Sequence, residues 1–535
     1  MASSGGHTVP LLARLPAEAA EAYTTDGTLD FDGNPALKNR TGGWRACRAV
    51  LGTEFCYCLA FYGISYNLVT YLTGVLGQSN VAAARNVSTW QATCFLMPLG
   101  GAVVADSYCG RYRTMVVSCF IGVAGMLTTA FSAYLPLLVE NGVSFRGLTS
   151  SNMVSVQEFV LFLGLYMIAV GLGGLRPCLM SFGADQFDDG DPSERVTKGS
   201  FFNWFQRTRG SPLTRVCQVV VAAVRKCGVE LPADSSLLYD MPEDDLAMKG
   251  VERIAHTTDL RFFDKAAIVV ASDKDVEAAA VPVPRSPWRL CVVTQVEELK
   301  ILVRMLPLWA TVVFFYAVSV QISSTFVEQG RAMNATVGSV HVPPASMSTF
   351  DILTIILLVP LYDRVFVPAA RRLTGREKGI SELQRIGAGL TMPVLAMAAA
   401  ALLETVRLRA AKAAGLAPCS TSVLWQAPQY VLVGVGEVLT TIGQLDFFYG
   451  QAPAAMKTVC TALALLAVAA GGYLSSVLLT AVQWATTTGG APGWIPDDLN
   501  EGHLDRFFWM MSGLGCLNLI AFASCAMRYK SRKGC

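Results

Sequence analysis

Apolar residues gather into ten runs separated by polar stretches, at 49–76, 89–105, 114–139, 156–182, 305–327, 346–367, 384–406, 421–446, 457–482 and 505–527. A helix needs about 20 apolar residues to cross a hydrocarbon core, so the pattern predicts ten transmembrane helices in an all-α polytopic membrane protein. An even count puts both chain ends on one side. The connections after the second run (Arg111, Arg113), after the fourth (195–300) and after the sixth (Arg371, Arg372, Arg376, Lys378) are basic, as is the tail with Arg528, Lys530, Arg532 and Lys533. Lysine and arginine gather on the cytoplasmic side, which places both termini there. The triplets Asn86-Val87-Ser88 and Asn334-Ala335-Thr336 then fall on the opposite side, where Asn86 and Asn334 are candidate glycosylation acceptors.

Between Arg207 and Arg285 the chain turns acidic and polar, with SSLLYDMPEDDLAMKG and ASDKDVEAAAVPVPRSP and no spanning run. This reads as a linker between two helix bundles. It ends in TQVEELKILVRMLP, where Val296, Leu299, Val303 and Leu306 recur at helical spacing. That stripe predicts an interfacial amphipathic helix; the alternative is that these are simply the first turns of the next transmembrane helix.

Composition agrees with the pattern. Of 535 residues, 53% are hydrophobic and 15% charged, and the mean hydropathy is +0.43, whereas soluble domains carry about 25% charge. A net charge of +2 without a basic face excludes nucleic acid as a partner. The first 40 residues lack a charged segment followed by an apolar one, so no cleaved signal is expected and the first helix serves as the signal. Eight of the fifteen cysteines, Cys56, Cys58, Cys94, Cys119, Cys178, Cys460, Cys516 and Cys525, lie within apolar runs, where thiols pack as small hydrophobes. No disulfide framework is expected. The histidines His7, His256, His341 and His503 lie outside the runs, so neither a zinc site nor a buried histidine relay is expected, and no cofactor. Proton chemistry falls to carboxylates. No Gly-x-Ser-x-Gly, Walker loop or His-Glu-x-x-His is present to support an enzyme or an ATP-driven pump.

Two stretches carry a resemblance to a known family. GLGGLRPCLMSFGADQFDD, beginning at Gly171, resembles the fourth-helix signature of the proton-coupled oligopeptide transporters, in particular their plant nitrate and peptide branch, and KGSFFNWF resembles the start of their fifth helix. GAVVADSYCGRYR resembles the major-facilitator loop between the second and third helices, with Gly101, Asp106, Gly110, Arg111 and Arg113 at its marked positions. Physically, Gly101 permits close helix approach, Asp106 sits at a helix end, and the arginines mark the cytoplasmic face. After Phe205 the chain passes directly to QRTRGSPLTRVCQ, which resembles the segment that follows the family's sixth helix. The fifth and sixth helices are thus expected to be missing, a gap of roughly 45–50 residues for two spans and a turn. The resemblance implies a major-facilitator fold with a four-helix first bundle and a six-helix second one, divided as 1–45 (N-terminal segment), 46–205, 206–300 (linker), 301–527 and 528–535 (tail).

The resemblance also implies site residues. Where the family has Glu-x-x-Glu-Arg in its first helix, this chain has Glu54, Tyr57 and Cys58, followed by Phe61, Tyr62 and Gly63. A cysteine holds no positive charge against a carboxylate, so either the clamp on a peptide's C-terminus is lost or the first helix has become structural. Arg176 stands where the family has lysine, keeping a permanent cation in the membrane, and Glu54 is its expected partner. Glu437 resembles the tenth-helix glutamate that the family uses for a substrate amino group or a proton; beside Gly434 and Gly436 the alternative is a helix-facing carboxyl. Gln321, Gln329 and Tyr62 are candidate cavity-lining groups or, equally, interhelical bonds. Asp446 and Glu404 are expected at the interface.

The function implied is proton-driven symport of di- or tripeptides, nitrate or another small metabolite, closest to the peptide-transporting members, in the plasma membrane rather than the vacuolar one. A non-transporting truncated isoform or pseudo-transporter is the opposed reading, with a partner chain as one way to fill the shortened bundle. Solute, protons and lipid are the other partners expected.

Overall fold

The computed structural model describes residues 43–105, 109–140, 153–184, 212–231, 238–240, 254–270, 286, 288–375, 380–415, 420–451, 457–488 and 492–529. Its helices are α1 (Gly43–Gly74), α2 (Asn80–Val104), α3 (Arg111–Glu140), α4 (Met153–Ala184), α5 (Pro212–Arg225), α6 (Val293–Ser319), α7 (Thr325–Arg331), α8 (Ser348–Leu361), α9 (Val367–Thr374), α10 (Glu382–Ala414), α11 (Ala427–Gln451), α12 (Lys457–Thr486) and α13 (Leu504–Arg528). A hairpin pairs β1 (Thr336–Val337) with β2 (Val340–His341). Among the described residues nine helical stretches are long and apolar enough to span a membrane.

The second of the ten expected runs makes the difference. Helix α2 has 25 residues but is not among the nine, because polar side chains fill its first half. Those groups bond to protein. Asn80 Nδ2 donates to the Pro496 carbonyl at 2.9 Å, Gln91 Nε2 to Ser323 at 3.0 Å, and the Thr89 and Ser476 hydroxyls meet at 2.9 Å. Thr93 and Tyr473 do the same at 3.0 Å. Packing accordingly divides the chain into Met1–Ile64 with Leu96–Gln206, and Ser65–Phe95 with Arg207–Cys535.

The first unit is held together by missing side chains. A Cβ at Gly101 on α2 would fall onto the backbone carbonyl of Gly173 on α4, and one at Gly171 would stand 2.8 Å from the Gly122 backbone on α3. At Gly125 it would lie 2.8 Å from the Gly164 carbonyl. The glycines of GLGGLRP are therefore contact points where helix backbones touch, as small residues allow in membranes. The obstacle at Gly101 is backbone, which cannot rotate away. Gly101→Ala is expected to cost about 1–3 kcal/mol, the usual range for overpacking, read as a lowered unfolding temperature in a thiol-reactive dye assay; an unchanged transition would contradict the contact.

Among its described residues the second unit has three apolar clusters. In one, the Phe326 ring meets Tyr430 and Phe508 edge to face at 5.5 and 5.7 Å, geometry worth about 0.5–1.5 kcal/mol per pair beyond burial. Another joins α6, α10, α11 and α13 through Phe315, Leu390, Phe447 and Phe522. The third belongs to the linker and corrects an expectation. TQVEELKILVRMLP is not a separate interfacial helix; it is the beginning of α6, which runs unbroken from Val293 to Ser319. Val296 and Leu299 bury against Val219, Ala222 and Ala223 of α5 and against Ala266 and Ala267. The helical stripe thus packs on protein, and Leu306 alone of the four stands out at 42% exposed. The amphipathic helix of the linker is α5.

Charges under α6 close the same joint. Lys300 Nζ lies 2.7 Å from Asp264 and 2.8 Å from Glu297, and Arg215 pairs with Glu298 at 2.8 Å. His256, Asp264 and Glu297 have the spacing of a metal site, but the Lys300 ammonium already occupies their carboxylate oxygens. Cys291 is buried beside them, and burial pushes its thiol up to about 11, which keeps it neutral.

Candidate functional site

Ionisable groups inside apolar helices are costly and mark function by default, and the second unit brings several together. Glu437 is half-buried on α11, and Asp351 on α8 is 3% exposed. The two carboxyls act on one another electrostatically. Tyr430 lies beside Asp351, and Tyr316 of α6 beside Glu437. The Tyr316 hydroxyl donates to Gln444 Oε1 at 3.0 Å. Of these, sequence reasoning had singled out Glu437 alone. Asp351 carried a readable signal: it is the single ionisable residue in STFDILTIILLVPL.

The first unit holds Glu54, Tyr62 and Arg176, but not in the expected pair. Glu54 Oε1 accepts from Cys58 Sγ at 3.5 Å, and the Arg176 guanidinium lies over the Phe61 ring, 5.5 Å from its centroid. Tyr62 packs edge-on against Phe61 at 5.3 Å. Once Cys58 replaces the family's arginine, the Glu54 carboxyl finds its partner one turn along its own helix. A planar guanidinium settles on an aromatic face, and the half-buried Arg176 does so at Phe61.

Gln321 is fully buried. Its Nε2 donates to Ser475 Oγ at 2.8 Å and its Oε1 accepts from Thr325 at 2.8 Å, so both ends of the amide are used in joining elements. Gln329 belongs to a larger network. It donates to Glu404 Oε2 at 3.0 Å and accepts from Gln426 at 3.0 Å and Gln429 at 3.1 Å. Glu404 is not interfacial, as expected from its place near a helix end, but fully buried with Arg407. Arg407 grips it with Nε at 3.0 Å and Nη2 at 2.7 Å, and reaches Asn500 Oδ1 at 2.7 Å. Helix α10 continues past Glu404 to Ala414, and the segment before α13 covers the pair through Leu499 and Asn500. Asp446 pairs with Arg385 at 2.7 Å. Glu328, within FVEQG, is buried with neither carboxyl oxygen hydrogen-bonded.

Of the loop motif, Asp106 lies outside the described residues. Gly110 takes φ +75° immediately before α3, a conformation that favours glycine, and its carbonyl accepts from Thr114 N at 3.1 Å. Arg111 opens α3, and Arg113 is exposed. Asn86 sits within α2, donating to Gln78 at 3.0 Å, with Ser88 of its triplet buried; this is not the exposed loop of an acceptor site. Asn334 is exposed in a turn, its Oδ1 accepting from Thr336 N at 2.9 Å.

The fold and these groups have relatives. A family model described as the POT family matches residues 112–207 and 205–495. The chain belongs to the POT family. Protein NRT1/PTR FAMILY 8.3 of Arabidopsis thaliana is 46% identical over 573 aligned residues, 96% of this chain and 96% of that protein. NRT1/PTR FAMILY 8.5 of the same plant is 44% identical, covering 95% and 93%. An auto-inhibited POT family peptide transporter aligns over 92% of this chain and 98% of its own at TM-score 0.61 and 20% identity. The POT family transporter PepTSo does so over 90% and 98%, at TM-score 0.60 and 19% identity. These two show the fold. This POT member is a multi-pass membrane transporter, not an enzyme. Its family match divides at residues 205–207, and the 573 aligned positions exceed the 535 residues of the chain, so the Arabidopsis relative carries residues that this chain lacks.

Proposed function

We propose that this POT family chain carries the solute- and proton-binding groups of a proton-driven symporter of small solutes, with di- and tripeptides ahead of nitrate. The observation that carries the reading is that Asp351 lies against the α11 face at Gly434, one turn from Glu437, within apolar helices, with no cation paired to either carboxyl among the described residues. A carboxyl pair of that kind suits a proton or a solute's ammonium group, and repels an anion such as nitrate. One structural neighbour supports the same class, a POT family transporter in complex with 5-aminolevulinic acid, which has an amino group. Arg176 supplies a permanent positive charge in the first unit, fit for a carboxylate.

The test is a solute panel in proteoliposomes, using the chain with its two missing spans restored from a relative. Uptake of a labelled dipeptide, competed by a tripeptide and not by nitrate, is the expected result. Preferential nitrate uptake would refute the peptide reading.

A further inference from the structure

Asp351 of α8 lies against the face of α11 that carries Glu437. Three residues of α11, Tyr430, Gly434 and Glu437, follow at spacings of four and three and so share one helix face. At Gly434 a Cβ would stand 2.8 Å from Asp351 Oδ1 and 3.0 Å from the Asp351 carbonyl oxygen. The absent side chain is what lets the α11 backbone come up to the carboxyl. Asp351 Oδ1 is buried with no hydrogen-bond partner, and so is the Tyr430 hydroxyl. Glu437 lies one turn beyond Gly434 and acts on Asp351 electrostatically.

Among the described residues no compensating cation is paired to this group. On the elements packed around α8 and α11, Asp446 is taken up by Arg385, and Glu404 by Arg407. Asp363 and Arg364 follow α8 at roughly 18 Å along the axis from Asp351, at 1.5 Å per residue. The remaining titratable neighbours are the hydroxyls of Tyr430 and Tyr316. Two ionised carboxylates held together here would repel in a medium that screens little. One acid donating to one carboxylate removes the repulsion, forms a short charge-assisted bond, and gives the orphan oxygen of Asp351 its partner.

We propose that Asp351 and Glu437 form a carboxyl pair that holds one proton between α8 and α11, with the Tyr430 hydroxyl as a second donor to Asp351. This deepens the proposed function and rests on its reading of Glu437 as a proton-coupling group. Asp351 is the new element, the residue that turns a lone glutamate into a two-carboxyl proton site.

Infrared spectroscopy of the purified full chain in lipid at neutral pH, with no solute added, tests it. The expected result is a carboxylic-acid carbonyl band that is shifted or lost in Asp351→Asn and in Glu437→Gln, is absent in the double variant, and moves without vanishing in Tyr430→Phe. A band that Asp351→Asn leaves untouched would overturn the pair, as would the absence of any band sensitive to either carboxyl. Should Asp351→Asn fail to fold, Glu437→Gln reads the same pair from its other side. Proton-driven uptake alongside an unaltered band defeats the pair and spares the function. A pair-dependent band, with no peptide moved even once a relative's fifth and sixth helices are inserted after Phe205, supports the pair and defeats the function.

Discussion

Labelled dipeptide uptake by the unmodified chain is expected to stay at background, and insertion of a relative's fifth and sixth helices after Phe205 is expected to bring it well above background. In this superfamily alternating access is built from paired helix repeats that rock around a central site. The family match divides at residues 205–207, and in FFNWFQRTRG the start of one expected span is followed at once by a basic segment, with no apolar run of spanning length between them. A first bundle without two spans would leave polar groups facing lipid, each costing several kcal/mol if unsatisfied. Robust uptake by the unmodified chain would show that the shortened bundle suffices.

The other large effect is one of stability. Arg407 and Glu404 are both 0% exposed, and the guanidinium makes four hydrogen bonds, to Glu404 twice, to Asn500 and to the Leu499 carbonyl. Arg407→Met leaves the Glu404 carboxylate buried with Gln329 as its remaining donor. Removing one partner of a buried ion pair typically costs about 3–5 kcal/mol, enough to lose most folded protein in fluorescence-detected size exclusion. The neutral double variant Glu404→Gln with Arg407→Met is expected to recover part of the yield, since no uncompensated charge remains. Strictly additive losses would count against the pair.

Much of the fold was legible because a bilayer imposes one rule, that a spanning helix be apolar for about 20 residues. That rule locates α1, α3, α4 and the helices from α6 onward. In α2 the apolar run is interrupted by polar side chains, and Gln91 and Thr93 are satisfied by residues hundreds of positions away. The rule misjudges the start of α6, because a stripe such as Val296 and Leu299 looks the same whether it lies on lipid or on α5. Glu437 and Gly101 were both found through the family motifs in which they stand. For Glu54 and Arg176 the structure gives contacts with Cys58 and Phe61, which helical spacing alone does not rank against a pair between the two. Asp351 was overlooked as one acid in an apolar run, although its rarity there was the signal. Glu404 looked interfacial from its place near a helix end; the covering segment that buries it is remote in sequence.

The central claim, proton-driven transport through Glu437, is tested most directly by dipeptide uptake into proteoliposomes holding the chain with its fifth and sixth helices restored, with the pH gradient imposed in either direction. The account predicts accumulation when protons flow inward, none when the gradient is reversed, and loss of the gradient's effect in Glu437→Gln. Uptake indifferent to the gradient, or equally gradient-driven in Glu437→Gln, would contradict it.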